Sequence, residues 1–313
     1  MITILPIEFL TNQSLVTSTN LGTDPTVEWV SGARVVGDLR KVTTIANGAS
    51  FASYKIYKAT TTVGDDPTAD VANFPTTAGI GTNWNEVSSV NEWAWANDVL
   101  ADQSTGSGTT IQIVLDPLRV VSAFAMANVD CDTVQIVFDS ASDGIIYDEI
   151  FDMTSYVGID SFYDWLFEDI VKSRRLSAFD IAPYADATIT ITLTAAAGSP
   201  KVGAVFLGSQ YEFGTSLYGT SFSFDDYSTI DFVPELDRTI ISERNYSEGT
   251  RGSIYIEDFR LESVRDSSIA LRNITTVWVA NKDIPGTEVF GILKEMVVTL
   301  QDINGTYMDI EIG

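Results

Sequence analysis

Histidine is absent from the 313 residues of this chain, and cysteine occurs once, at Cys131. Histidine is the usual general base near neutral pH and the commonest zinc ligand. Its absence therefore excludes Ser-His-Asp and Cys-His catalysis and histidine-rich metal sites. A single cysteine excludes an internal disulfide. Because Cys131 lies between alternating apolar positions, we expect a buried and unreactive thiol.

Positive charge is also scarce, since 18 Lys and Arg residues against 43 Asp and Glu residues give a net charge of −25. This charge repels phosphate backbones and anionic lipids, so we expect neither nucleic acid nor a membrane as a partner. No apolar run approaches the roughly 20 residues that a membrane helix needs. The opening Met1-Ile2-Thr3-Ile4-Leu5-Pro6 has no basic residue and an early proline. We therefore predict no secretion signal and a soluble protein made in the cytoplasm.

Hydrophobic residues make up 45% of the chain, which is enough for substantial cores, and the length predicts two or three domains. Residues 134–138 and 188–193 alternate between apolar and polar side chains and are rich in β-branched residues. This pattern is typical of strands with one buried face. Short strands separated by turn signals at this spacing predict a β-sandwich.

An aromatic cluster interrupts the strand pattern at residues 160–170. Its large apolar side chains are Phe162, Tyr163, Trp165, Leu166 and Phe167. On a helix they would cover more than one face, and a helix that is apolar all round is usually buried. We therefore predict a short helix that plugs the sandwich. The alternative is an exposed aromatic platform for a sugar.

The last third of the chain has a mixed pattern. Residues 258–274 carry apolar side chains at helical spacing. Residues 296–300 and 307–312 look like strands, and the Asn304-Gly305 pair between them is a hairpin signal. We predict an α+β unit with one helix packed on an antiparallel sheet.

Several segments resemble a group of tailed-phage virion proteins that carry a galactose-binding-like jelly roll. They are 1–6, 83–87, 91–93, 181–191 and the predicted helix at 258–274 with the Val277-Trp278-Val279 and Phe290-Gly291 segments that follow it. The group's usual pattern is Thr-Asn-Arg-Trp followed by an aromatic and an acidic residue. Here Glu92 stands in place of the arginine.

Two further resemblances concern the ends of the chain. Near the N-terminus, aromatic and turn residues are similar to those of the small chitin-binding module of chitinases: Trp29, Gly37-Asp38, Tyr54, Tyr57, Pro67 and Trp84. We expect Trp29, Tyr57 and Trp84 to form the small core of such a module. The C-terminal unit resembles phage distal tail and tail-tube proteins, which form rings by joining sheet edges between subunits.

Together these features predict a mainly β protein in three parts. Residues 1–88 form an N-terminal arm and a small β module, 89–210 a jelly-roll β-sandwich, and 211–313 a distal-tail-like α+β assembly domain. The resemblance implies a non-enzymatic structural component of a phage tail, such as the distal tail, the tail tip or an adaptor ring. It would be made in the host cytoplasm and located in the virion. Its partners would be copies of itself in a ring and other tail proteins.

A receptor-binding adhesin that recognises a host-surface glycan is the first alternative. Its candidate binding residues are Trp93, Trp95 and Trp165. If Trp93-Ala94-Trp95 is extended, its two rings point to opposite faces and one of them faces outward.

A polysaccharide depolymerase that uses two carboxylates is the second alternative, because this chemistry needs no histidine. The candidate acids are Asp160, Asp164, Glu168 and Asp169. In a chain with 43 acidic residues such clusters are common, and most form solvated surfaces.

A structural calcium ion is the only cofactor that the sequence suggests. Oxygen ligands from Asp130, Asp132, Asp139 and Asp143 lie at or near the ends of predicted strands. Otherwise these residues solubilise turns.

Overall fold

The computed structural model describes residues 3–6, 16–29, 35–42, 54–60, 84–97, 99–155, 160–167, 171–233, 238–242, 246–282, 284, 286–300 and 305–313. Strands account for 54% of the structure and helical residues for 9%, which confirms the mainly β fold. No helix in these ranges is long and apolar enough to cross a membrane.

The strands follow one another along the chain in three groups. The first group is β1 (Thr3–Pro6), β2 (Val16–Thr19), β3 (Leu39–Val42), β4 (Lys55–Ala59) and β5 (Trp84–Ser89). The second is β6 (Ser104–Thr105), β7 (Thr110–Leu115), β8 (Ala123–Ala127), β9 (Thr133–Ser140), β10 (Gly144–Asp152), β11 (Thr154–Ser155), β12 (Val171–Lys172), β13 (Arg175–Ala178), β14 (Ala187–Thr194), β15 (Lys201–Val202) and β16 (Ala204–Gly208). The third is β17 (Tyr211–Glu212), β18 (Thr215–Ser216), β19 (Ser221–Asp226), β20 (Thr229–Val233), β21 (Arg238–Ser242), β22 (Tyr246–Glu257), β23 (Thr276–Val279), β24 (Glu288–Gly291), β25 (Leu293–Leu300) and β26 (Gly305–Ile312).

Within the described ranges, two α-helices interrupt the strands. They are α1 (Phe162–Phe167), between β11 and β12, and α2 (Leu261–Ala270), which continues a 3₁₀ turn at Asp258–Arg260. The helix predicted at 258–274 is confirmed but ends at Ala270. Asn273 has a φ of 63°, which is left-handed and incompatible with a continued α-helix.

The small module is the antiparallel sheet β3-β4-β5. Its core consists of Trp29, Val42, Tyr57, Ala59 and Trp84. The three aromatic residues are at most 7% exposed, which confirms the prediction that they form a small core.

The sandwich is formed by the sheet β10-β9-β14-β7-β2 and the sheet β13-β8-β16. Strands β9 and β14 alternate between buried and half-buried residues along most of their length, as their period-2 sequences predict. Their inward side chains pack against Phe124 and Met126 of β8 and Val205 and Leu207 of β16. The β-sandwich character of this region is confirmed.

Strands β8 and β16 are buried on both faces. Their other face, with Ala125 and Phe206, packs against Val277, Val279 and Phe290. These last residues belong to the sheet β17-β1-β23-β24. On the far side of that sheet, Trp278 joins a second core with the strands of the sheet β18-β22-β26-β25 and with helix α2. The sheets therefore stack in layers, and the hydrophobic contacts continue across residue 210.

The N-terminal arm does not stay with the small module predicted for residues 1–88. Strand β1 pairs with β23 and β17 near the C-terminal end of the chain, and β2 pairs with β7 at the edge of the sandwich. Sequence periodicity could not reveal this, because strand pairing between distant segments is decided by the tertiary fold.

Candidate functional site

The Trp93-Ala94-Trp95 segment forms a 3₁₀ turn at Ala94–Ala96 and is not extended. In a turn side chains no longer alternate between two faces, and the two indole rings stack with centroids 6.1 Å apart. Trp95 is 1% exposed, and its Nε1 donates to the Glu92 carbonyl at 2.9 Å. Trp93 is half-buried and packs edge-on against Tyr54. Trp95 therefore does not face outward. Trp93 lies between the rings of Tyr54 and Trp95.

The residues around this turn join the small module to the sandwich. The Asn91 Nδ2 donates to the carbonyls of Gly22 and Thr105, at 2.6 and 3.0 Å. Its Oδ1 accepts from the Thr105 amide at 2.8 Å. One side chain thus satisfies three backbone groups from two distant segments.

Glu92 takes part in the same junction. Its Oε1 accepts a hydrogen bond from the Asp24 amide at 3.2 Å. An arginine side chain has no acceptor and could not make this contact. Glu92 therefore has a local structural role at this junction.

Asp24 also serves the junction through its carboxylate, which accepts from the amides of Thr26 and Asn91 at 2.8 and 3.3 Å. Burial acts to raise the pKa of Asp24. The hydrogen bonds from Thr26 and Asn91 and the charge of Lys41 outweigh this effect, so the pKa lies below its ordinary value of 3.8. The folded state therefore favours the ionised form of Asp24.

Helix α1 exposes an aromatic patch. The side chains of Phe162, Tyr163, Trp165, Leu166 and Phe167, called the α1 patch below, are between 53% and 75% exposed. The prediction of a buried plug is therefore wrong. The helix is carried by the two-stranded sheet β11-β12, which belongs to neither sheet of the sandwich. Of the three glycan candidates, Trp165 is exposed, Trp93 is half-buried and Trp95 is buried. The Trp165 ring stacks on that of Phe162 with centroids 5.9 Å apart.

The candidate acids of a depolymerase lie within residues 160–169 of the sequence, which include α1. Asp160 is exposed. The side chain of Asp164, and the whole of Glu168 and Asp169, lie outside the residues that the structure describes. The geometry of a catalytic carboxylate pair is thus not defined here, and the depolymerase remains an alternative.

The four aspartates proposed for calcium lie at opposite ends of one strand. Asp130 and Asp132 precede β9, whereas Asp139 and Asp143 lie at and beyond its far end. Eight strand residues span about 26 Å, so the four carboxylates cannot bind one ion. Among the described residues, no group of three or more acidic or cysteine side chains could hold a metal.

Each pair of aspartates has another role. Asp132 accepts from the Ala196 amide at 2.5 Å and pairs with Lys172 at 2.9 Å. These two contacts hold the pKa of Asp132 below its usual value. Asp143 raises the pKa of the neighbouring Tyr184 hydroxyl. Asp132 and Asp143 therefore interact with other side chains at the ends of the sandwich.

Cys131 is fully buried, as predicted. Burial raises the pKa of its thiol to about 12, and the neighbouring Asp132 adds to the effect. The thiolate is therefore absent at neutral pH, and the residue is chemically inert.

Two long strands form sheet edges in the described part of the chain, and they differ in character. Strand β10 has a bulge between Ile145 and Tyr147, and its centre carries Asp148 and Glu149. Glu149 points to the same face as Tyr147, whose hydroxyl donates to it at 2.5 Å. A bulge and an inward-pointing charge are devices that prevent an edge from pairing with another chain.

Strand β25 lacks these devices along residues 296–300, where no side chain is charged. Its bulge lies near its start, between Leu293 and Glu295. Val297 is 44% exposed and Leu300 is 76% exposed. An exposed, apolar and uncharged edge of this kind is suited to pairing with a further strand.

The opposite side of the same sheet bears an arm formed by β19 and the first half of β22. All six residues of β19 are exposed, among them Phe222 and Phe224, which lie on one face. The hairpin β20–β21 connects the two strands. The sheet thus offers two different apolar surfaces, β25 on one side and the arm on the other.

Sequence reasoning missed both of these surfaces. The signals that could have found them are the uncharged run at 296–300 and the alternation of Phe222 and Phe224 with serines. The segment at 296–300 was predicted as a strand, whereas no structure was predicted for residues 221–226. The sequence also does not say which strand lies at the edge of a sheet.

Trp95 and Trp165 should respond in opposite ways to truncation. Trp95→Ala should reduce the free energy of unfolding by about 3–5 kcal/mol, because it empties a buried site. Trp165→Ala should change it by no more than about 0.5 kcal/mol, because the ring is exposed. Urea titration of both variants tests this, and equal losses would contradict the burial described here.

Asp24 should give the junction a pH dependence. Because its pKa is lower in the folded state, its contribution is complete above the ordinary value of 3.8 and is lost as the pH falls through the folded value. The difference in the free energy of unfolding between the wild type and Asp24→Asn should therefore be constant from about pH 7 to about pH 5 and shrink as the pH falls from about 5 to about 2. Urea titrations across this range provide the measurement, and a constant difference would contradict the expectation.

Comparison with known proteins does not assign a function to these surfaces. No protein-family model, no curated protein and no solved structure matches this chain. The argument for its function therefore depends on the described geometry and on the sequence resemblance.

Proposed function

We propose that this chain is a non-enzymatic structural component of a phage tail that assembles with copies of itself and with other virion proteins. The distal tail, the tail tip and an adaptor ring are positions that suit such a component. The sequence resemblance to tailed-phage virion proteins motivates the tail assignment. The open edge of β25 is the single observation that carries the assembly role.

The position of β25 favours a ring. Strand β25 and the β19 arm lie on opposite sides of one sheet, in the order β18-β22-β26-β25 with β19 also paired to β22. If the β25 edge of one copy pairs with the arm side of the next, the contact joins two different surfaces. Contacts of this heterologous type repeat from copy to copy, and they close into a ring when the rotation permits it.

Electrostatics constrain what can hold such subunits together. Each copy carries a net charge of −25, so neighbouring copies repel one another at long range. Backbone hydrogen bonds between strands and burial of apolar side chains do not depend on net charge. Val297, Leu300 and Phe224 offer exposed apolar area for such a contact.

A receptor-binding adhesin is the second candidate, and the exposed α1 patch favours it. Trp165 and Phe162 present accessible aromatic surface of the kind that stacks on sugars. The buried Trp95 cannot contribute, because its ring faces are covered by protein. This candidate therefore depends on Trp165 and its helix alone.

A charge placed on the β25 edge should prevent assembly without unfolding the subunit. Val297→Lys introduces a lysine opposite Asp309, where the pair of opposite charges is compatible with the sheet. Lysine on an edge strand opposes pairing with another chain. We expect a normal melting temperature and a loss of oligomers in size-exclusion chromatography with light scattering.

The matched control is Ile150→Lys on the blunted edge strand β10, where Ile150 is 65% exposed. This variant should assemble like the wild type. If Val297→Lys also assembles normally, β25 is not the subunit interface.

The tail assignment has its own test. Antibodies raised against the chain should label the tail of purified phage particles in negative-stain electron microscopy. Labelling of the capsid alone, or no labelling of intact and disrupted particles, would refute the tail assignment. The assembly role would still be tested separately by the Val297→Lys variant.

A further inference from the structure

A cavity of about 500 Å³ lies where the sandwich meets the C-terminal sheet. Its walls include the apolar side chains of Val99, Leu100, Phe290 and Ile292. Val99 and Ile292 are 41% and 37% exposed, so the apolar wall reaches the surface. The volume falls in the range of roughly 300–1,000 Å³ that is typical of ligand pockets.

Two adjacent arginines line this cavity, and they differ in their contacts. Arg175 is engaged, because it pairs with Glu248 and donates to the Glu288 carbonyl at 2.9 Å. Arg174 is exposed, and its guanidinium forms no ion pair or hydrogen bond with any described residue. In a chain with a net charge of −25, this combination of an apolar wall and an unengaged cation favours a ligand that is aromatic and acidic.

The α1 patch has this composition. Its aromatic rings are more than half exposed, and residues 160–169 contain Asp160, Asp164, Glu168 and Asp169 but no basic residue. Tryptophan is also the aromatic side chain on which a guanidinium packs most favourably. An acidic patch is poorly suited to anionic lipid, which favours a basic apolar helix.

We propose that the α1 patch of one copy docks into the Arg174 cavity of a second copy. Trp165 packs against the apolar wall, and the Arg174 guanidinium faces its ring. A second copy is the occupant that the structure supports, because the chain itself carries both complementary surfaces. The contact uses no residue of β25, so it can exist whether or not the β25 edge forms the ring.

Position-specific crosslinking tests this contact directly. Leu166→Cys places a thiol on the α1 patch and retains Trp165, and Ala101→Cys places one on an exposed residue of the cavity wall. The native Cys131 is buried and should not react. Mixing the two full-length variants with a short bismaleimide should give a covalent dimer that mass spectrometry assigns to these two positions.

The matched control is a mixture of Leu166→Cys with Ile150→Cys, in which the second thiol is equally accessible but lies on β10. This mixture should give little dimer. Absence of the dimer in the test mixture, or equal yields in both mixtures, would overturn the proposal. A higher yield from Leu166→Cys alone would mean that α1 packs on α1, and would overturn it as well.

The chemistry of the contact has a separate readout. Adding Trp165→Ala to Leu166→Cys should lower the crosslinking yield on the order of tenfold, as expected for an aromatic residue central to an interface. Arg174→Gln in the Ala101→Cys partner should also lower it. An unchanged yield in both cases would contradict the assigned roles. Failure of the dimer together with Trp165-dependent binding to host cells would assign the α1 patch to a glycan.

Discussion

Burial of the sheet β17-β1-β23-β24 on both faces is the constraint on which the rest of the structure depends. Val277 and Val279 face the sandwich, whereas Trp278 between them faces the sheet that contains β25. The rings of Phe206 and Phe290 meet across the first of these interfaces with centroids 5.0 Å apart. Because the apolar contacts are continuous from one layer to the next, the sandwich and the C-terminal sheet form one stacked hydrophobic structure. Strand β1 brings the start of the chain into the same sheet.

The small module is attached by a different kind of contact. Five of the described residues form its core, and its junction with the sandwich includes polar groups centred on Asn91 and Asp24. The junction also includes Trp93, whose ring lies between Tyr54 of the module and Trp95 of the sandwich core. Hydrogen bonds therefore orient the module, whereas the stacked sheets are held together by burial of apolar surface.

The described surface carries both charged and apolar residues. The exposed edge of the sandwich is blunted by Asp148 and Glu149. Apolar residues also reach the surface at residues 296–300, on β19 and on α1. Large exposed apolar patches in a folded protein are typically sites of interaction. These three places are where a structural role in a larger assembly would be expressed.

The sequence by itself determined the features that depend on short-range patterns. Period-2 alternation located β9 and β14, helical spacing located α2, and the antiparallel pairing of β25 with β26 was expected from the runs on either side of residues 301–304. Gly305, however, already belongs to β26 and is not part of a tight turn. The lack of histidine and the lone Cys131 limited the available chemistry in the same direct way.

Only the tertiary structure decided where these elements lie relative to one another. Trp95 is buried because its segment turns, and the aspartates on either side of β9 are separated because the strand between them is straight. The sequence pattern of α1 predicted a helix that is apolar on all sides. It did not show whether this helix packs against atoms of the same chain or of another molecule. Burial of an apolar side chain lowers the free energy because the side chain leaves water, whichever surface it packs against. For the same reason, the sequence marked β25 as a strand, and only the order of the sheet made it an edge.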